Sequence, residues 1–299
     1  MDATTLSLLE RIFQTVFPLT AIVLTGFFYA RRHKPEMAIP NKLNLDIFVP
    51  ALIFAVMSAK SFNLAEFGNL ALGATAIVLG SGLLLWPIAR VLKLNLKTFL
   101  PPMMFNNSGN LGIPLVVLAF GEQALPAAIV LFMVENMLHF TVGIYMLDHR
   151  SNLLAVLRNP MILASIAGIG WSFSGLTMPP AIYTFIDMLG QISIPLMLFA
   201  LGVRMTFVDL SHWRIGILGA LLCPLSGIAL AFALQPLLQL DNTQFGYLLL
   251  FGALPPAVLN YMVAERYQQE PHQVASIVLL GNITSLAVIP LALAYVMQG

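Results

Sequence analysis

Cut at its charged and turn-rich clusters, the chain falls into ten apolar segments, most of them close to the roughly 20 residues a helix needs to cross a bilayer. They lie near residues 8–30, 44–59, 66–91, 99–121, 124–147, 160–174, 181–203, 213–237, 244–264 and 272–297 and are numbered as spans one to ten. A soluble domain carries about a quarter of its residues as charged groups to cover its surface. Here only 9% are charged, 59% are hydrophobic and the mean hydropathy is +0.89. The fold class that follows is an all-α polytopic membrane protein. Met1 to Glu10 has no basic region ahead of the first apolar run and no small-residue cleavage site after it, so span one reads as a retained helix. A net charge of +1 with no basic run gives no signal for nucleic acid. The lone Cys223 has no disulfide partner in the chain.

Lysine and arginine give an independent check on the count, because cytoplasmic loops are enriched in them. Arg31, Arg32, Lys34, Lys42, Arg90, Lys93, Lys97, Arg150, Arg158, Arg204, Arg214 and Arg266 fall on one side of the ten-span reading, and only Arg11 and Lys60 on the other. One missed or invented span would swap every later loop, so the twelve-to-two split supports ten spans with both termini extracytoplasmic in an inner (plasma) membrane.

Ten spans divide into halves of five, residues 1–150 and 151–299, and an odd number forces the second half to insert inverted relative to the first. Ala127 to Leu131 opens span five and the similar Ala275 to Leu279 opens span ten, an offset of 148 residues. Phe48-Val49-Pro50 and Ser193-Ile194-Pro195 occupy spans two and seven, and Trp86-Pro87 and Gln235-Pro236 the ends of spans three and eight.

Span four is interrupted by the polar, glycine-rich run Asn106-Asn107-Ser108-Gly109-Asn110-Leu111-Gly112-Ile113-Pro114. Gly and Pro disfavour a helix, and backbone groups left unpaired in hydrocarbon cost several kcal/mol each, so such a run must line a cavity or be buried in protein. The 148-residue offset carries Asn107 onto Pro255, inside Leu254-Pro255-Pro256-Ala257-Val258-Leu259-Asn260 of span nine. A broken helix creates a new N-terminus with free amides and the positive end of a half-helix dipole. Two inverted breaks crossing at mid-membrane bring two such ends to one point, which is an anion site made from backbone. The substrate-binding candidates are therefore Asn107, Asn110, Gly112, Pro114, Pro255, Pro256 and Asn260, with the asparagines adding amide donors.

At these residues the chain resembles the auxin efflux carrier family. Asn107 to Leu115, Ala253 to Tyr267, Ile194 to Gly202 in span seven and Pro50 to Phe54 in span two carry the likeness, in the family's order. The resemblance implies a scaffold domain from spans one, two, six and seven, and a transport domain from spans three to five and eight to ten holding crossed helices four and nine. It also implies elevator-type movement, small carboxylate substrates and a homodimer formed through the scaffold domain. In the family's pattern the polar residue five before the Gly of Gly-Ile-Pro contacts the carboxylate, and here that residue is Asn107. The chain departs from the plant members in two ways. Asp148 to Asn159 is a short link, and span three has no charged residue from Phe67 to Ala89.

Ionisable residues inside spans are functional candidates by default. Glu135 lies midway along span five with His139 one turn on, so Glu135, Asn136 and His139 are candidates for coupling to H+ or Na+, set against a structural pair that locks spans together. Asp187 and Asp46 sit nearer the ends of their spans, and Arg204 reads as a positive-inside anchor that snorkels. The five His show no metal spacing, and there is no nucleophile elbow or phosphate loop, which leaves no catalytic residue, metal or cofactor to assign. The sequence thus reads as a secondary carrier for a small organic anion, not an enzyme. The alternative is a ligand-binding sensor that keeps the carrier fold without net flux.

Overall fold

The computed structural model describes residues 3–59, 62, 64–149, 157–206 and 211–298. Lys60 and Arg150 of the charge tally, and the expected boundary between halves at 150/151, lie outside the described residues. Within them every regular element is helical. The first half contains α1 (Ala3–His33), α2 (Ala38–Leu43), α3 (Val49–Met57), α4 (Gly68–Val91), α5 (Leu96–Met104), α6 (Ile113–Phe120), α7 (Leu125–Leu138) and α8 (Ile144–Leu147). The second contains α9 (Pro160–Ser174), α10 (Pro180–Gln191), α11 (Ser193–Arg204), α12 (Trp213–Leu238), α13 (Asn242–Ala253), α14 (Val258–Arg266) and α15 (Pro271–Gln298). Wide π-type turns at Asn44–Phe48, Ser108–Gly112 and His139–Gly143 join α2 to α3, lead into α6 and join α7 to α8.

Seven of these stretches are long and apolar enough to cross a bilayer: Leu6–His33, Ala38–Met57, Ala65–Val91, Glu122–Leu147, Pro180–Arg204, Trp213–Leu238 and Pro271–Gln298. The other three expected spans fall short for physical reasons. Spans four and nine are each cut in two, leaving α5 with Ser108–Phe120 and α13 with α14. Span six is the 15-residue α9, about 22 Å at 1.5 Å per residue, against a hydrocarbon core of about 30 Å. Span two starts earlier than expected, at Ala38 rather than residue 44.

The helices form two packing groups. In one, α1 lies along α11 and α3 packs on α9 and α10. In the other, α12 packs on α15, α13 and α4, and α4 on α5 and α7. Glycines set the closest approaches, as expected where helices associate by van der Waals packing in lipid rather than by a hydrophobic driving force. A Cβ on Gly202 would lie 1.9 Å from the Val23 carbonyl oxygen on α1, and one on Gly227 would lie 2.1 Å from that of Gly252, where α12 meets α13. The two groups touch where α1 meets α6 and α15, where α3 meets α7 and where α11 meets the turn at Ser108–Gly112. The second interrupted segment reaches the same region.

Candidate functional site

The chain enters both breaks from helices whose starts are capped by side chains. Asn95 accepts a hydrogen bond from the Lys97 amide at the start of α5, and Asp241 accepts one from the Gln244 amide at the start of α13. Each of these helices then runs into residues that cannot continue it. α5 ends at Met104 and Phe105 turns extended, at φ −101° and ψ 101°. α13 ends at Ala253, and Pro255 and Pro256 remove two amide donors in succession.

The released backbone groups are satisfied by crossing. The Asn107 amide donates to the Pro255 carbonyl at 2.7 Å, and the Ala257 amide donates to the Phe105 carbonyl at 2.9 Å. Side chains fasten the crossing further. Asn106 Nδ2 donates to the Phe251 carbonyl at 2.6 Å, and Asn260 Nδ2 to the carbonyls of Phe105 and Ala257 at 2.8 and 3.0 Å. Asn107 Nδ2 donates to Asn282 Oδ1 at 3.2 Å, while Asn282 Nδ2 returns to the Pro256 and Val278 carbonyls. Gly281 makes room for this: a Cβ there would sit 2.5 Å from Pro256 Cδ. These bonds pair part of the irregular backbone at this depth with protein, as hydrocarbon requires.

The inner helix starts differ from the outer ones. Neither Asn107, ahead of the turn into α6, nor Ala257, ahead of α14, caps its helix with a side chain. Among the described residues no backbone acceptor serves the amides of Ser108, Gly109 and Asn110, or those of Val258 and Leu259. Helix ends buried without such partners are exceptional. Gly109, Asn110, Val258 and Leu259 all line one cavity of about 100 Å³, together with Asn106, Asn107, Glu135 and Asn136. Its opposite wall comes from the other packing group, with Asn41, Asn44 and Val49 of the second span and Met197, Ala200 and Arg204 of α11.

Arg204, with Val258 and Met262, lines both this cavity and a wider one of about 610 Å³ that also takes in Tyr261, His272 and Asn282. Its guanidinium touches Met262 Sδ at 3.2 Å and meets no carboxylate among the described residues. An apolar cleft of about 380 Å³ between α1 and α15 reaches the crossing at Leu111 and Asn282 but offers almost no polar surface.

Beneath the break, Ser108 Oγ donates to Glu135 Oε2 at 3.0 Å. Glu135 Oε1 lies 3.3 Å from His139 Nδ1, in range for an ion pair but without the alignment of a hydrogen bond. The His139 ring stacks on Phe105 at 4.3 Å and 8°. Glu135 and His139 are 3% and 1% exposed, a buried pair beside the crossing.

The expected residues thus fall into three places. Asn107, Asn110, Glu135 and Asn136 line the cavity. Gly112, Pro114, Pro255 and Pro256 shape the backbone around it; a Cβ on Gly112 would lie 2.8 Å from Leu254 Cδ1. Asn260 and His139 lie behind the crossing and line a separate recess, where the Asn260 amide is committed to backbone carbonyls. Asp46 pairs with Lys42 at 2.5 Å and Asp187 accepts from Gln191 at 2.7 Å, both at exposed positions. Asn41, Asn44, Asn282 and the inward placement of Arg204 were missed from sequence. The available signal was an amide or a cation among apolar neighbours in spans two, seven and ten, and a search keyed on carboxylates passes over it.

The sequence profile of the family described as "Membrane transport protein" matches residues 11–156 and 149–293. A protein of Rhizobium meliloti named "Putative malonate transporter" is 25% identical over 298 residues, covering 92% of this chain and 92% of its own. An uncharacterized transporter of Methanocaldococcus jannaschii is 24% identical over 291 residues, covering 90% and 94%.

Proposed function

The chain belongs to the membrane transport protein family, the auxin efflux carriers, and on that premise we propose that it is a secondary carrier for a small organic anion, with dicarboxylates as the leading class. The family and both relatives are transporters rather than enzymes, and the Rhizobium meliloti relative carries malonate in its name. The observation that carries the reading is the pair of uncapped inner helix starts lining one cavity, beside outer starts capped by Asn95 and Asp241. Amides and half-helix dipoles stabilise an anion without a fixed full charge, so a carboxylate is held weakly enough to be released. Arg204 is the one cation on the cavity wall among the described residues, suited to a second carboxylate.

The seven long helices, α9 and the two interrupted segments make ten crossings, with the termini outside by the lysine and arginine asymmetry. Inverted halves are supported by the paired breaks and paired caps, and the site lies between two packing groups that correspond to scaffold and transport domains. Sliding the second group past the first would carry the crossing from one membrane face to the other, an elevator movement driven by a substrate or ion gradient. A homodimer through the scaffold would hold the stationary part fixed.

The test is uptake of labelled malonate and a panel of mono- and dicarboxylates into proteoliposomes, with Asn107→Ala in parallel. Saturable uptake weakened by the substitution is expected. Uptake that survives it unchanged removes Asn107 from the site, and binding without flux of any acid would make the protein a sensor.

A further inference from the structure

On α1, Val16, Leu19, Val23 and Phe27 recur at helical spacing along one face and line the cleft of about 380 Å³, whose other long wall is the stretch of α15 from Leu279 to Ile289. At 1.5 Å per residue the two walls run about 16 and about 15 Å, roughly half of a hydrocarbon core of about 30 Å, which is the depth of one lipid leaflet. Two polar residues on the α15 wall spend their side chains on protein. Asn282 Nδ2 donates to the Pro256 and Val278 carbonyls, and Ser285 Oγ donates to the Asn282 carbonyl at 2.6 Å. Leu24, Ile283 and Leu286 belong to the same lining and are 46%, 43% and 53% exposed, so the cleft opens sideways to the bilayer.

One end of the cleft is basic. Val23 packs with Leu201 of α11 and with Val274 and Val278 of the first turns of α15, so the C-terminal ends of α1 and α11 meet the N-terminal end of α15. There α1 runs out into Arg31, Arg32 and Lys34, and Glu36 is the one carboxylate between Ala30 and Asn41. The three cations are exposed and form no ion pair among the described residues. Arg31 holds its guanidinium 5.8 Å from the centre of the Phe27 ring, which itself lines the cleft, so a charge is fixed directly above apolar space. An apolar space of this kind does not hold water, and left empty it strips its lining of dispersion contacts. We propose that an anionic glycerophospholipid docks here, with one acyl chain in the cleft and its phosphate at Arg31, flanked by Arg32 and Lys34. The acyl chain fills the cleft without discriminating between lipids, because bilayer tails are as apolar as its leucines. Selection rests on the head group, where cations favour a lipid with net negative charge over a zwitterionic one.

The walls belong to different packing groups, α1 to the one with α11 and α15 to the one with α12. The cleft also reaches Leu111, in the turn of the first break. A lipid seated there lies between the two groups and touches the crossing. A ligand shifts a conformational equilibrium only through different affinity for the two states. A chain that fits when α1 and α15 stand this far apart favours the present arrangement of the groups, and the lipid thereby regulates transport. That regulation rests on the carrier reading; binding of the lipid does not.

The experiment is native mass spectrometry of the delipidated full-length protein, titrated in detergent with phosphatidylglycerol or phosphatidylcholine. It is paired with cross-linking by a phosphatidylglycerol that carries a diazirine on its acyl chain. One saturable phosphatidylglycerol per protomer is expected, bound at least about fivefold more tightly than phosphatidylcholine. Cross-links should fall on residues 16–27 and 279–289 and be competed by phosphatidylglycerol but not by phosphatidylcholine. Arg31→Gln should remove about fivefold of the preference and leave phosphatidylcholine binding unchanged. Leu286→Trp, which fills the cleft, should reduce the cross-links several-fold. Gel filtration checks that each variant is monodisperse, and Arg31→Gln, at an exposed position, decides the matter if Leu286→Trp does not fold. Equal binding of the two lipids, or wild-type preference in Arg31→Gln, overturns the proposal and leaves the basic residues as anchors at the membrane face. Cross-links spread evenly over the lipid-facing helices overturn it as well, as does their absence because a second copy of the chain covers the cleft. Lipid preference with no flux of any acid would sink the carrier reading alone. Malonate flux without lipid preference would sink the lipid site alone.

Discussion

Replacing Val258 with proline isolates the backbone contribution to the site. Val258 is the first residue of α14, where proline is well tolerated because its amide has no intrahelical acceptor. The preceding Ala257 lies at φ −64° and ψ 140°, the extended conformation that a residue before proline prefers. The fold should therefore accept Val258→Pro, and the restricted unfolded chain contributes up to about 1 kcal/mol of stability, offset in part by lost packing of the buried valine. Binding should respond differently, because the substitution deletes one amide from a helix start that lines the cavity. A hydrogen bond to a charged partner is worth about 1.5–3 kcal/mol, which corresponds to roughly a 10- to 150-fold loss of malonate affinity. Thermal unfolding in detergent and the concentration dependence of proteoliposome uptake measure the two effects separately. Unchanged affinity for every transported acid would refute the role of the helix start, and loss of folded protein would refute the backbone geometry at 257–258.

Arg204→Gln should weaken dicarboxylates by about 10- to 100-fold and monocarboxylates by under about threefold, because only the second carboxylate needs the guanidinium; equal losses in competition assays would count against it. Asn260→Ala removes two bonds to the crossing backbone and should lower unfolding stability by about 1–3 kcal/mol, read by thermal or denaturant unfolding in detergent. Gly227→Ala drives a methyl group against the Gly252 carbonyl and should cost about 3 kcal/mol or more, whereas Gly170→Ala, with nothing near its Cβ, should be neutral or slightly stabilising; the same unfolding measurement compares them.

The parts of the fold governed by patterns along the chain were legible in the sequence. The apolar runs located the long helices to within a few residues, apart from span two, where Lys42 and the asparagines at 41 and 44 hid the helix start at Ala38. Both breaks were legible because Gly and Pro act locally on the backbone, so Asn107–Pro114 and Pro255–Asn260 marked themselves. The direction of a side chain across a helix interface was not legible. Asn260 looked like a ligand from its place beside Pro255-Pro256, yet its amide is spent on the Phe105 and Ala257 carbonyls. Arg204 looked like an interfacial anchor because it closes an apolar run, yet the packing of α11 turns it toward the cavity. Asn44 and Asn282 are single amides in apolar helices, and only tertiary packing brings them to the crossing.

Counterflow of labelled malonate into proteoliposomes preloaded with unlabelled malonate tests the carrier reading most directly, since it needs a working site and alternating access but no imposed ion gradient. Transient accumulation of label that is saturable and suppressed by other dicarboxylates is the predicted result. No accumulation of malonate, or of any other small organic acid in the panel, by folded and reconstituted protein would contradict it.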